Sequence, residues 1–179
     1  MLDNQIYQVL VSTINQILVD RSSIYPVLQN ALVRQSYQPT QQSVKNQPCI
    51  FVSKVTNPQF GWGINYIANT SEREQVQYAE STYQVVALLQ QDPADINSLT
   101  ANDLVTLVSD MLQSYDIIRS LRGQGLAIQR VSSISGGHFV NDKDRYELDP
   151  GFQITFNYHR TYNKPVDQVI EATGAIYGV

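Results

Sequence analysis

One segment of this 179-residue chain constrains its fold more than any other, because residues 100–123 have the pattern of a long amphipathic helix. Thr100 together with Asp103 fits a capping box at its start, and Arg122 followed by Gly123 marks its end. Burial of one apolar helix face contributes roughly 10 kcal/mol, more than propensity supplies, so the helix must pack on another layer, most simply a sheet. That apolar face consists of Leu104, Leu107, Val108, Met111, Leu112 and Tyr115.

Strand patterns elsewhere in the chain supply such a layer. Residues 49–55 are rich in β-branched and aromatic side chains, residues 74–90 and 151–162 alternate between two faces, and another strand pattern begins at Leu126. An N-terminal helix precedes them. The order helix, strand, strand, helix, strand, strand predicts an α+β fold, with two main amphipathic helices on one face of a small, mostly antiparallel sheet. The apolar stripe of the N-terminal helix contains Ile6, Leu10, Ile14 and Ile17.

Length and the remaining segments predict one domain over residues 1–179. Residues 36–47, 58–71 and 135–150 are rich in Gln, Asn, Gly, Pro or Ser and are predicted as long projecting loops. Residues 165–179 are predicted as a C-terminal arm or a short helix. Long loops on a small scaffold are commonly functional, so we expect these segments to contact other molecules.

Composition narrows the functional classes. Charged residues make up 16% of the chain, against about 25% in an ordinary domain, and its 20 Gln and 12 Asn outnumber them. A net charge of −4 argues against a free nucleic-acid binder, and no apolar stretch is long enough to predict a membrane span. Arg outnumbers Lys by 8 to 4, and Tyr occurs 11 times, as on protein interfaces. The surface is therefore predicted to contact other subunits. The alternative explanation of this composition is that some lineages use Gln and Asn more often than others.

The sequence carries no recognisable catalytic, metal or cofactor site. His138 and His159 lie far apart without a Cys or carboxylate at metal-ligand spacing, and the single cysteine, Cys49, has no such partner either. The glycines around Trp62 are followed by Tyr66 where a dinucleotide-binding fingerprint needs its third glycine. We therefore expect a protein that is not an enzyme and binds no cofactor.

Several residues are candidates for contact with another subunit or a partner. Glu80 lies inside an otherwise neutral strand, where it either faces water or pairs with Arg73, Arg130 or Arg160 across the sheet. Trp62 either covers the core or anchors a partner. The run 142–147 is either a solvated turn or a contact loop of alternating charge. The predicted contact residues are Trp62, Tyr66, Arg73, Glu80, Lys143, Asp144, Arg145 and Arg160.

The order of elements and several sequence patterns carry a family resemblance. An amphipathic N-terminal helix is followed by QNALVRQSYQP and a strand opened by Gln47 and Pro48, and a long strand is entered by SEREQVQYAESTYQV. The L-x-x-LV-x-x-ML helix ends at RGQGL, and a hairpin contains DRYELDPGFQITFNYHRTY. On these patterns the chain resembles the neck or tail-terminator proteins of tailed bacteriophages, including those called gateway or tail-completion proteins.

The resemblance implies a structural virion protein of the tail or neck, assembled in the host cytoplasm. It implies a ring, as a homohexamer, that terminates the tail tube, joins it to the head connector or collar protein, and leaves a channel for the passage of DNA. The implied partners are other copies of the chain, the tail tube protein, the connector and, in contractile tails, the sheath. Two alternatives remain open, which are another head–tail joining component (connector, collar or stopper) and a monomeric small-molecule binding module.

Overall fold

The computed structural model describes residues 3–35, 47–56, 59–67, 72–89, 95, 97–140 and 146–165. Three helices and seven strands are found in these residues. The helices are α1 (Asp3–Arg21), α2 (Ala101–Leu112) and α3 (Tyr115–Gly123), with a 3₁₀ turn at Pro26–Asn30. The strands are β1 (Leu32–Gln35), β2 (Cys49–Thr56), β3 (Gln59–Ile67), β4 (Glu72–Leu88), β5 (Leu126–Val131), β6 (Ser135–Val140) and β7 (Tyr146–Pro165).

All seven strands belong to one mixed sheet. The main path runs β1-β2-β4-β7-β5, while β3 pairs with β4 and β6 pairs with β7. Only β1 and β2 are parallel, and every other pair is antiparallel. The predicted α+β fold with a mostly antiparallel sheet is therefore confirmed.

The core lies between the helices and one face of this sheet. Alternate residues of β4 and β7 are buried on that face, as the period of two in their sequences predicts. Tyr83 and Phe156 contact each other edge to face there, with 6.2 Å between their ring centroids. The helices contribute their apolar stripes, which include Ile6, Leu10, Ile14, Leu104, Val108 and Leu112.

The helix predicted over residues 100–123 is in fact two helices. The chain breaks between them at Gln113 and Ser114, and Ser114 has an extended ψ of 148° as the residue before α3. Tyr115 was predicted to lie on the apolar face, but 74% of its surface is exposed because it begins the second helix. Leu121 of α3 is buried instead. The apolar residues keep a spacing of 3.6 in the sequence across Gln113 and Ser114, although the backbone does not continue there as one helix.

Two of the three predicted loops are wrong. Within 58–71, residues 59–67 form β3, and its register with β4 shifts between Phe60 and Ile64, where Gly61 and Gly63 interrupt the strand pattern. Within 135–150, residues 135–140 form β6 and residues 146–150 begin β7. The glycines suggested loops because glycine is uncommon inside strands. Apart from Gln47, the predicted loop 36–47 lies outside the described residues. The predicted C-terminal arm or helix, residues 165–179, also lies outside them apart from Pro165.

Thr100 forms the predicted capping box. Its hydroxyl accepts a hydrogen bond from the Asp103 backbone N–H at 3.1 Å, and the Asp103 carboxylate accepts one from the Thr100 N–H at 3.1 Å. Thr100→Ala removes one of these bonds and should lower the free energy of unfolding by about 1 kcal/mol. Chemical denaturation measures the loss. Thr100→Ser keeps the hydroxyl and serves as the control, so an equal loss in both variants would contradict the capping role.

Gly151 lies where β7 approaches β4 closely. A methyl group on Gly151 would come within 2.8 Å of the Val85 carbonyl oxygen and 2.9 Å of a Val86 methyl carbon. Gly151→Ala should therefore lower the free energy of unfolding by about 1–3 kcal/mol, because backbone atoms cannot move aside cheaply. Gly123→Ala is the control, since nothing lies within 4 Å of its added methyl group. Thermal denaturation should separate the two, and equal melting temperatures would refute the close approach.

Candidate functional site

The sheet has a second face on which none of the described helices packs its apolar stripe, and the described side chains around the centre of this face are mostly polar and uncharged. Thr82 and Thr155 lie side by side at its centre, with their hydroxyls 3.0 Å apart, and both residues are buried. Around them are half-buried or exposed side chains from three strands. We call this surface the open face, and its described members on β2, β4 and β7 include Ser53, Tyr78, Glu80, Gln84, Gln153, Asn157, His159 and Thr161.

One end of the sheet extends beyond the core as a three-stranded projection. Ala79 of β4 and Tyr158 of β7 pair with each other and are 2% and 1% exposed. Beyond this pair, the described side chains at 75–78 and 159–162 are half-buried or exposed. We call the strands of this projection the β-arm, and it comprises β3, residues 72–78 of β4 and residues 159–165 of β7.

A polar cluster joins the β-arm to the core on the helix side. The Tyr158 hydroxyl lies 3.1 Å from the Ser81 hydroxyl and accepts a hydrogen bond from Arg160 Nη2 at 2.9 Å. The Arg160 guanidinium also lies 5.6 Å from the centre of the Tyr158 ring, a cation–π distance. Because Ser81 and Tyr158 are buried, these contacts fix the direction in which β7 leaves the core.

On the open face, the base of the β-arm carries an aromatic pair beside two shallow depressions. The rings of Tyr78 and His159 lie 4.3 Å apart, and 58% of Tyr78 is exposed. The depressions have volumes of about 360 and 320 Å³ and share Tyr78 and Asn157 as lining residues. Glu80 and Gln129 line the first, and Arg122, Gly125 and Leu126 are among those lining the second. Their position suits contact with a protein chain, since an exposed aromatic ring and mixed polar groups are typical of interfaces.

The structure narrows the possible partners of Glu80. Arg160 lies opposite Gln77, on the helix side of the sheet with Tyr158, whereas Glu80 lies opposite Asn157 on the open face. Arg130 pairs with Thr155, so it is the candidate that shares the open face with Glu80, across the intervening strand β7. Glu80 is half-buried. Pairing with Arg160 through the sheet is therefore excluded by the alternation of side chains.

Four of the predicted contact residues are brought together in the β-arm. Trp62 and Tyr66 lie in β3, where Tyr66 pairs with Glu74, and Arg73 pairs with both Ile67 and Lys164. Arg160 lies on the third strand. Glu80 is at the base of the arm. The remaining three, Lys143, Asp144 and Arg145, lie outside the described residues, so their role in contacts stays a prediction.

The aromatic pair and the depression lining were not predicted from the sequence. Tyr78 and His159 are 81 residues apart, and only the register of β4 with β7 shows that they are opposite each other. Their alternation patterns do place both on the polar side of their strands. Arg122 was interpreted as a helix-end signal, and it is in the last turn of α3 beside the start of β5.

The described residues hold no group of three or more His, Cys, Asp or Glu side chains placed to bind a metal ion. Burial raises the pKa of the Cys49 thiol, and the positive charge of Arg34 opposes this only partly, so the thiol stays protonated at neutral pH and is a poor nucleophile. Among the described helices, none combines the length and the apolar character that a bilayer span requires.

The Tyr158 hydroxyl gives a direct test of the cluster at the base of the arm. Tyr158→Phe removes the acceptor of the Arg160 hydrogen bond and the partner of the Ser81 hydroxyl, so the free energy of unfolding should fall by about 1–2 kcal/mol. Tyr162→Phe is the matched control, because Tyr162 is 45% exposed. This variant should lower the free energy of unfolding by no more than about 0.5 kcal/mol. Urea denaturation of both variants measures the difference, and similar losses would show that the cluster has no special role.

Comparison with known proteins assigns this fold to a family. The family model described as E217 gateway protein gp29 matches residues 5–168, a range that runs from α1 past the end of β7. A search of curated proteins returned no match. The resemblance to phage neck and gateway proteins that the sequence patterns carry is thereby confirmed. Because the match extends over nearly the whole chain, this protein belongs to the gateway protein family of phage neck components.

Proposed function

We propose that this protein forms a ring in the neck of a tailed phage, where it terminates the tail tube and joins the tail to the head connector. The observation that carries the proposal is the family match over residues 5–168, since a phage gateway family indicates a structural protein of head–tail joining. The proposed ring contains six copies and encloses a channel for DNA. Its role is structural and involves no catalysis.

The distribution of polar groups supports a surface made for contact with other proteins. The described members of the open face on β4 and β7 are mostly hydroxyl and amide side chains, with the Glu80 carboxylate among them. Neutral polar groups lose less solvation than charges when a partner covers them, so such a face can be buried at low cost. The exposed Tyr78 ring adds the aromatic contact that interfaces favour.

The β-arm supports contact with neighbouring proteins. It extends past the helices, and its described side chains at 75–78 and 159–162 are not buried in the isolated chain. In the proposed assembly the neighbours are other copies of the chain, the tail tube protein, the connector or collar protein and, in a contractile tail, the sheath. The complete protein is then a virion component of the tail or neck.

Net charge supports the passage of DNA through the ring. Six copies at −4 each give the ring a charge of −24. Phosphates bind proteins chiefly through cationic contacts that release counterions, and an acidic ring offers few of them. With its acidic residues facing the channel, such a ring would let DNA cross without being held.

Deletion of the gene in the source phage tests the proposal. We expect tails that are overlong or unattached to heads, because the proposed ring both ends the tube and joins the connector. Electron microscopy of lysates measures tail length and attachment, and complementation with the wild-type gene is the control. Tails of normal length that remain unattached would favour a connector, collar or stopper instead. Tails of normal length joined to heads would refute a function in the neck.

A further inference from the structure

The Tyr78 ring lies where the two depressions at the base of the β-arm meet. Tyr78 and Asn157 line both depressions, so the two adjoin around this ring. We call them together the Tyr78 trough. The ring lies 4.3 Å from the His159 ring, yet 58% of Tyr78 is exposed. One side of the ring is therefore held by His159, and another is accessible to a partner.

The trough has an apolar floor where β5 begins. Leu126 and Tyr158 pair with each other across β5 and β7, each is 1% exposed, and both line the second depression together with Ala127. Gly125 turns the chain from α3 into this floor with a φ of 79°, and nothing lies within 4 Å of the position that a side chain would take there. An apolar side chain of a partner would therefore meet a fixed apolar surface.

The two depressions of the trough differ in charge. Arg122, in the last turn of α3, lines the second depression, and Glu80 lines the first. Arg122 is exposed and Glu80 is half-buried. Residues 115–131, which include Arg122, contain three Arg and one Asp, although the net charge of the chain is −4. The second depression therefore attracts an anionic group, and the first repels one.

We propose that the Tyr78 trough binds an extended acidic segment of another neck protein. A carboxylate of that segment pairs with Arg122, and an adjacent apolar side chain packs against Tyr78 and the floor. The proposal rests on the proposed function, which supplies the neighbouring proteins. The planar guanidinium group of Arg matches the two oxygens of a carboxylate, and Tyr with Arg is the usual pair of anchors at an interface centre.

The charges of the trough favour a protein segment over DNA. A nucleic-acid strand has a negative charge at every phosphate, so a strand that followed the trough would bring phosphates to Glu80 as well as to Arg122. A protein segment can place one carboxylate at Arg122 and a neutral or basic side chain at Glu80. A small molecule fits less well, because sites for such ligands bury most of the ligand surface and these depressions are shallow.

Tyr78 and Arg122 contribute differently to this binding. Water and salt screen an exposed ion pair, so Arg122 adds little affinity and mainly selects and orients the acidic segment. Burial of the Tyr78 ring contributes most of the affinity. In the proposed ring, several copies of the trough would bind their segments together, so a weak contact at each copy is enough to hold the partner.

Tyr78→Ser and Arg122→Gln test the two anchors. Both side chains are exposed, so the purified variants should melt close to the wild-type temperature. Tyr115→Ser is the matched control for the first, because Tyr115 is 74% exposed. Arg34→Gln is the control for the second, because Arg34 is exposed on β1, at the opposite edge of the main sheet path from β5. Should Tyr78→Ser fail to fold, Arg122→Gln still tests the trough.

The source phage, deleted for its own copy of the gene, provides the assay. We expect the wild type and both controls to restore tails joined to heads, and each trough variant to lower the number of joined particles about tenfold or more. Wild-type numbers with folded Arg122→Gln and Tyr78→Ser chains would overturn the trough and leave the proposed function intact. Normal joined particles without any copy of the gene would refute the proposed function, and the trough with it.

Photo-cross-linking identifies the occupant of the trough. Tyr78→p-benzoylphenylalanine keeps an aromatic side chain, and irradiation of purified particles links it to whatever lies on the ring. We expect mass spectrometry to find a segment of another virion protein with an Asp or Glu beside the linked residue. Cross-links to DNA or to a second copy of this chain, or particles that contain the variant and no cross-link, would overturn the proposal.

Charge exchange with the cross-linked segment tests the ion pair itself. Arg122→Glu should lower the number of joined particles further than Arg122→Gln, because two carboxylates then repel each other. Replacement of the partner's carboxylate by Arg should restore joined particles with Arg122→Glu and lower them with the wild-type chain. A purely structural role of Arg122 predicts no such recovery, so its absence would overturn the pairing.

Discussion

The pairing of β4 with β7 is the interaction on which the rest of the structure depends. These strands face each other over fifteen residue pairs without a register shift, from Glu72 with Pro165 to Val86 with Gly151. Every other strand except β1 pairs with one of the two. At one end their apolar residues pack under the helices, and at the other they extend as the β-arm. A single continuous ladder therefore transmits the fixed orientation of the core to the projecting end.

The sequence predicted the parts of the fold that depend on local periodicity. The stripes of α1 and α2, the capping box at Thr100 and the alternation around Tyr83 and Phe156 all carry their signal within a few residues. The predictions failed where glycine interrupts a strand, as at Gly61 and Gly63 of β3, because a shifted register next to a long partner strand accommodates them. β1 was missed for another reason. Its four residues form a strand only by pairing with β2, which is distant in sequence.

The candidate site was predictable only in part, since it depends on register. Trp62, Tyr66, Arg73 and Arg160 were chosen for residue type, and the β4 pairings place all four in the β-arm. No local pattern could show that Tyr78 lies against His159, or that Arg160 and Glu80 lie on opposite faces. An offset of one residue in the β4–β7 ladder would reverse both statements. Local sequence therefore indicates which residues suit an interface, and long-range pairing decides which of them share a surface.

The neutral character of the chain acquires a physical sense once the open face is considered. Its hydroxyl and amide side chains lose less solvation than charges when a partner covers them, so the face can bind a neighbour without an exposed hydrophobic patch that would aggregate before assembly. Thr82 and Thr155 lie at its centre with their hydroxyls 3.0 Å apart, so these two buried polar groups satisfy each other. The β4–β7 ladder runs under this face and into the β-arm, so the orientation of both surfaces is set by the same strand pairing as the core.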